Sequence, residues 1–253
     1  MRASYYICPR FKLALLMKYL ILVIATCLTL PALSQQKLAI ELSSLNFLSY
    51  RHIDASDPAL PPDFTENWNQ EKWALRTGAG LYFNIGLTNT LRLKSGLRWM
   101  TKGYNSPKLT LKWGLDAKEG VWDPNDNPTT GSVQMKYYFS FAEIPVGIQY
   151  RLGSKGKWQL NTLFLAIPSI YIRSNNVQHF NSDKQSNRFR DKYIRDLHFA
   201  VQAAVGIDYS FTDKVQLFAQ PSFYYNVTDM LDAVIKQYLY GAGLEAGVRL
   251  MIK

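Results

Sequence analysis

The stretch LHFAVQAAVGIDYSF, residues 197–211, decides the fold. Its odd positions are Leu197, Phe199, Val201, Ala203, Val205, Ile207, Tyr209 and Phe211, all apolar or aromatic. Between them sit His198, Ala200, Gln202, Ala204, Gly206, Asp208 and Ser210. A period of two is the mark of a β-strand whose two faces meet different surroundings. The pattern continues downstream. Val215, Leu217, Ala219, Phe223, Tyr225 and Val227 alternate with Gln216, Gln220, Ser222 and Asn226. At the C-terminus Leu244, Ala246, Val248, Leu250 and Ile252 alternate with Glu245, Gly247, Arg249 and Lys253.

Upstream the same alternation returns with more noise. Leu38, Ile40 and Leu42 alternate with Glu41 and Ser43; Leu75, Ala79, Leu81, Phe83 and Ile85 with Arg76, Gly78, Gly80 and Asn84. Leu91, Leu93, Leu97 and Trp99 alternate with Arg92, Lys94, Gly96 and Arg98; Ile144, Val146 and Ile148 with Glu143, Gly147 and Gln149. The run 158–173 is ambiguous, because Leu163, Leu165 and Ile167 make both of its faces apolar. Eight strands result. Tight hairpins are expected near 88–89, 153–156 and 212–214, and long polar connections at 51–71, 103–132, 174–193 and 228–237. Short and long connections thus alternate strictly, as in outer-membrane barrels with short periplasmic turns and longer outer loops.

Alternation alone does not say which face points inward, and a soluble eight-stranded barrel would enclose the apolar one. Three features decide for a membrane barrel. The polar face carries the small residues Gly78, Gly80, Gly96, Ala200, Ala204, Gly206 and Gly247, which suit a crowded interior. Its charges nearly balance: Glu41, Glu143, Asp196, Asp208 and Glu245 against Arg76, Arg92, Lys94, Arg98, Arg151 and Arg249. Aromatics gather in two girdles. Trp73, Trp99, Tyr104, Tyr137, Tyr138, Tyr224, Tyr225, Tyr238 and Tyr240 lie towards the long connections, and Phe83, Tyr150, Trp158, Tyr209 and Phe211 towards the short ones. Hydrocarbon satisfies no backbone polar group, so strand one must pair with strand eight. The expectation is an all-β, eight-stranded antiparallel up-and-down transmembrane β-barrel in a bacterial outer membrane, filled by side chains.

Residues 1–34 are read as a signal peptide, with residues 35–253 as the barrel domain. From Met17, Lys18 supplies positive charge, Tyr19 to Leu30 an apolar run, and Ala32-Leu33-Ser34 a cleavage site before Gln35. Met17 is the better start, since the residues before it make the charged region unusually long. An uncleaved anchor over 13–33 and lipidation at Cys27 are the alternatives; the cleavage site argues against the first and Thr26 against the second. Both cysteines, Cys8 and Cys27, fall in this segment, so the remaining chain offers no disulfide and no thiol chemistry. The net charge of +10 falls to +6 with the segment removed. No Lys/Arg-rich run suggests nucleic acid.

With the strands placed, the chain resembles the PorT-like family of outer-membrane β-barrel domain proteins. The residues that carry the likeness are TGAGLYFNIGLTNTLRLKSGLRWMTKGY (77–104), FAEIPVGIQYRLG (141–153), AVGIDYSFTDKVQLFAQPSFYYNVTDM (204–230) and the closing GAGLEAGVRLMIK. The Glu143-Ile144-Pro145 step inside a strand is the most specific item. The resemblance spans essentially the whole chain after the signal. It implies fold and location, and by analogy with a founding member tied to a protein-secretion system, an accessory role in secretion or surface assembly.

Candidate sites are few. The polar face implies a lumenal network of Glu41, Arg76, Arg92, Lys94, Arg98, Glu143, His198, Asp208, Glu245 and Arg249. His198 near Asp196 has the makings of a general base, but no nucleophile stands at a telling spacing. A His-x-Ser motif of the kind found in outer-membrane lipid A deacylases is absent: the chain has His179-Phe180-Asn181 and His198-Phe199-Ala200. His52 begins a loop. Asp123-Pro-Asn-Asp-Asn127 resembles a calcium loop, yet Pro128 stands where glycine is required and Gln134 where glutamate is. The segment 179–193, with Lys184, Arg188, Arg190 and Lys192 partly offset by Asp183 and Asp191, is a candidate to meet lipid A phosphates or a partner. No catalytic, cofactor or metal residue is assigned. The expected partners are outer-membrane lipid and lipopolysaccharide, with other envelope proteins at the long loops. The function expected is a non-enzymatic structural or interaction role, the alternative being a lipid-modifying enzyme.

Overall fold

The computed structural model describes residues 38–54, 71–113, 129–180, 183–232 and 235–252. The signal segment 1–34 and the calcium-like stretch 123–127 lie outside the described residues. Among the described residues eleven strands follow one another: β1 (Leu38–Asp54), β2 (Ala74–Gly86), β3 (Leu91–Lys102), β4 (Leu109–Trp113), β5 (Thr129–Glu143), β6 (Val146–Lys155), β7 (Trp158–Phe180), β8 (Asp183–Phe189), β9 (Leu197–Ser210), β10 (Val215–Asn226) and β11 (Lys236–Ile252).

Eight of the strand positions close a ring. β1, β2, β3, the β5–β6 pair, β7, β9, β10 and β11 pair antiparallel in turn, and β11 returns to β1 from Leu38↔Ile252 to Asp54↔Lys236. β5 and β6 form one wall strand, interrupted where Pro145 has no N–H to give the ladder. The register survives the interruption: Glu143 faces Arg98 and Ser169, and Val146 faces Ser95 and Ala166. The Ile144 N–H donates to the Pro168 carbonyl (2.9 Å), and the Pro145 carbonyl accepts from Gly96 (3.2 Å).

The barrel's dimensions follow from its pairings. Starting at Leu38, the Cα partners run through Ile85, Leu93, Ile148, Phe164, Ala203, Phe223 and Ala242, and return to β1 at Leu48. One circuit therefore staggers the register by ten residues. With strands ~4.8 Å apart and a rise of ~3.3 Å per residue, eight strands and this stagger give a tilt of about 40° and a radius of about 8 Å. An interior so narrow is filled by side chains. Every residue on that circuit is apolar and at least partly exposed, a belt of hydrocarbon-facing wall.

The two faces separate cleanly. Val205 (50% exposed) and Val248 (39%) point outward, whereas Gln202 and Arg249 are buried inside. The lumen also takes in Leu163, Leu165 and Ile167, packed on Ala200 and Ala204, which explains the ambiguous run 158–173. The small residues make room for large neighbours. A Cβ on Gly247 would meet the Phe218 ring at 2.9 Å and the Leu42 carbonyl at 2.0 Å; one on Gly241 would meet Tyr224 at 2.7 Å. Tight turns repeat one device. Thr88 Oγ1 accepts from the N–H of Thr90 (3.2 Å) and Leu91 (2.9 Å), and Thr212 Oγ1 from Lys214 (3.3 Å) and Val215 (3.0 Å).

Three expectations are corrected. Tyr104 and Tyr224 belong to the lumen and not to the girdle; Tyr224 falls on the even, inward parity of β10 and donates to Ser49 Oγ (2.8 Å). Around the outer rim the exposed Trp73 packs instead with Tyr50 and Tyr240, at 5.1 and 5.3 Å between ring centroids. The expected connections 103–132 and 174–193 hold strand as well. β3 leads on through Asn105, a bridge partner of Lys72 and Lys136, towards β4 paired on β5, and β7 continues to Phe180 with β8 paired on it. β8 and the outer end of β7 carry polar side chains on both faces, so period two leaves little trace in them; β4 alternates, but over only five residues inside a polar stretch. The turn expected at 153–156 is shifted, because β6 runs to Lys155 and Gly156 takes the left-handed conformation (φ 60°).

Candidate functional site in the charged lumen

Period two places every second residue of each strand in the lumen, and the charged ones meet there in two groups. Arg249 on β11 anchors the first. Its Nε donates to Glu41 Oε2 (3.0 Å), and its Nη1 to Asp208 Oδ2 (2.5 Å) and Gln216 Oε1 (3.3 Å). Lys94 Nζ reaches Glu41 Oε1 at 2.5 Å, lies 3.7 Å from Glu245 Oε1, and sits 4.0 Å from the centroid of the Tyr82 ring. Asn84 donates to Glu41 (3.2 Å), and Gln220 to Glu245 (2.8 Å). The second group lies towards the outer end. Arg98 Nε donates to Glu143 Oε2 (2.5 Å) and Nη1 to Gln202 Oε1 (2.7 Å). Lys102 Nζ binds Glu143 Oε1 (2.8 Å) and Asn226 Oδ1 (3.0 Å).

Four cations (Lys94, Arg98, Lys102, Arg249) thus meet four carboxylates (Glu41, Glu143, Asp208, Glu245), all buried. Burial makes each charge dependent on its partner, since an unpaired ion in a dry interior is far costlier than a paired one. Lys102 was not singled out in the sequence, although Lys94 and Arg98 on the inward parity of β3 point to it four residues on.

Three expected members stand apart. Arg92 is only half-buried and lines a void of about 10 Å³ with Gln149, Arg151, Gln159, Asn161 and Asp208, room for about one water. Arg76 is buried but bonds backbone, donating to the carbonyls of Leu75 (2.9 Å), Tyr104 (3.2 Å) and Tyr137 (3.0 Å), with Tyr138 stacked 4.0 Å away. His198 is buried against the edge of Phe141 (5.2 Å), with Nε2 2.6 Å from the Arg195 carbonyl. Its expected neighbour Asp196 is exposed and pairs with Arg190 (2.6 Å). Ser169, the Cα partner of His198, turns its hydroxyl to Glu143 (3.4 Å) and the Ile167 carbonyl (3.3 Å). Towards the outer end the lumen is capped by an apolar cluster of Tyr104, Phe139, Phe141, Tyr171, Ile194, Met230 and Leu239. Beside it Arg51 pairs with Glu71 and donates to Gln237 Oε1 (3.0 Å). Burial there pushes the Glu71 carboxyl above its ordinary range, against the opposing pull of Arg51. Among the described residues, no group of three or more His, Cys, Asp or Glu side chains is arranged to hold a metal.

Known proteins offer the following comparisons. No curated protein matches the chain in sequence. Among solved structures, Neisserial surface protein A is similar over 85% of this chain and 96% of its own, at 13% identity and TM-score 0.37. The Ail attachment invasion locus protein of Yersinia pestis, solved with the heparin analogue sucrose octasulfate, is similar over 85% and 99%, at 13% identity and TM-score 0.34. The outer membrane protease OmpT of Escherichia coli is similar over 87% and 98%, at 10% identity and TM-score 0.39. The model of the family described as outer membrane protein beta-barrel domain matches residues 45–232, from within β1 into the connection after β10. With a closed eight-strand ring, an apolar outer wall and a match over most of its length, the chain belongs to the outer membrane protein beta-barrel domain family and resides in the bacterial outer membrane.

Proposed function

We propose that the protein acts as a non-enzymatic structural and interaction barrel of PorT-like type, an accessory to protein secretion or surface assembly. One observation carries this reading: the lumen is filled by paired charges and capped by apolar side chains, while one wall rises past the cap as the strands β4, β5, β7 and β8. A filled barrel with a raised wall suits holding and docking, with envelope proteins meeting it at the outer end. The alternative of a lipid-modifying enzyme needs a catalytic group open to lipid, and His198 is turned into the lumen. The test is photo-crosslinking in cells from probes placed at Gln185 and Asn187 on β8. Discrete adducts with secretion or surface-assembly proteins are expected. Adducts with lipid alone, together with loss of a lipid modification in His198→Ala, would overturn the reading. We further propose residues 1–34 as a cleaved leader, so that N-terminal sequencing of the membrane form begins at or next to Gln35.

A further inference from the structure

The raised wall carries cations on one face. Directly opposed residues in a sheet share a face. Tyr138, Asn175 and Arg188 are one such row; Lys136, Val177 and Ser186 the next; Gln134, His179 and Lys184 the third. The intervening rows point to the mouth, since Phe139 belongs to the buried cap and Ser174 bonds the Tyr171 hydroxyl (2.6 Å). The cationic rows therefore continue the outward, lipid-facing wall. Arg173, opposite Ser140, begins them, and Lys72 joins through its bridge to Asn105, itself bridged to Lys136.

Along β5, β7 and β8 this face holds Arg173, Arg188, Lys136 and Lys184, and no carboxylate among the described residues. None of the four makes an ion pair among them. The segment's other two cations differ: Arg190 is paired with Asp196, and Lys192 lies over Tyr193 at 5.0 Å. Position in the membrane completes the argument. Ile170 (47% exposed) is the last strongly exposed apolar residue of β7 below Arg173. At a tilt of about 40°, three residues on is about 8 Å higher and nine residues on about 22 Å. A head-group layer is about 5–8 Å deep on each side of the hydrocarbon. Arg173 stands at that level; Arg188, opposite Asn175 five residues on, is about 13 Å up, and Lys136 and Lys184 are higher still, where only a large head group extends.

We propose that this face is a binding ladder for the phosphate groups of outer-leaflet glycolipid, Arg173 taking the phosphates nearest the hydrocarbon and Arg188, Lys136 and Lys184 those further out. Arginine matches phosphate in a two-point contact, while lysine acts as a point charge. The Ser186 hydroxyl, hydrogen-bonded to Asn175 Oδ1 (2.8 Å), and the amide of Asn175 lie between the cations. The proposal stands apart from the accessory role and does not rest on it.

The experiment titrates the folded, detergent-solubilised barrel with bisphosphorylated lipid A and with dephosphorylated lipid A, and measures retention by native mass spectrometry. Tighter binding of the phosphorylated form is expected. The variant Lys136→Gln/Arg173→Gln/Lys184→Gln/Arg188→Gln should lose at least tenfold of that affinity, and Arg190→Gln/Lys192→Gln should not. The heat-dependent gel shift checks folding; if the fourfold variant does not fold, Arg173→Gln/Arg188→Gln and Lys136→Gln/Lys184→Gln are read separately, each with a partial loss. Equal affinity for dephosphorylated lipid A, or an unchanged fourfold variant, overturns the proposal. Competition by inorganic phosphate at matching concentration would show a free-anion site instead, and loss of an acidic protein partner with lipid retention intact would show a protein-docking face.

Discussion

The membrane wall and the raised outer wall are parts of the same strands, yet opposite rules build them. In β9 every outward residue from Leu197 to Ile207 is apolar and exposed, and every inward one is buried. In β8 all seven residues are exposed, and both faces are polar apart from the terminal Phe189. Within the membrane, a residue's face decides whether it belongs: hydrocarbon rejects a charge, and the lumen accepts one only with its partner. Above the membrane, water accepts either face, and order there comes mainly from the backbone ladder. The difference teaches where mutations will be felt.

The largest effect is expected in the lumen. Arg249→Met removes the guanidinium that holds both Glu41 and Asp208, leaving two buried carboxylates short of a partner. The expected loss is about 3–5 kcal/mol. Urea unfolding of the refolded barrel, followed by the gel shift, measures it. A loss of well under 1 kcal/mol would mean that the lumen is wet enough to screen its ions. On the opposite face, Val205→Arg or Val248→Arg near the midplane should cost about 2–4 kcal/mol. A labelling experiment sharpens the contrast: single cysteines at Val205 and Val248 should be quenched by lipid-borne probes, and those at Gln202 and Arg249 should not. An inverted pattern would contradict the membrane wall itself.

Legibility in the sequence followed the same division. The eight-strand ring was readable because each strand separates hydrocarbon from a packed lumen, and period two records that separation residue by residue. Nine of the ten network residues are buried, from Glu41 to Arg249, because parity alone fixes the side of the wall. Parity does not fix who meets whom. Lys102 beside Glu143, and Arg76 turned to backbone carbonyls, depend on the ten-residue stagger of the ring and on where β3 leaves the wall at Gly103 (φ 142°). Tyr104 and Tyr224 were misplaced because an aromatic residue near a strand end serves a girdle or a lumenal cap equally well. β8 left no signal, having no apolar face, whereas β4 (Leu109-Thr110-Leu111-Lys112-Trp113) does alternate but is only five residues long and lies within a long polar connection.

The smallest effect is expected where the ladder stands in water. Gln185→Pro/Asn187→Pro should break the pairing of β8 with β7, because proline gives no N–H and fits poorly within a paired strand. The seven exposed residues of β8 contribute little buried apolar surface, and their hydrogen bonds exchange readily with water. The barrel's unfolding free energy in urea should therefore change by less than about 0.5 kcal/mol, the range of surface changes away from special features. Amide hydrogen exchange should nevertheless accelerate through 174–180 and 183–189 while β9 and β10 stay protected. If the double variant instead unfolded the barrel as Arg249→Met is expected to, the outer wall would be part of the barrel's cooperative unit, and the contrast between the two walls would fail.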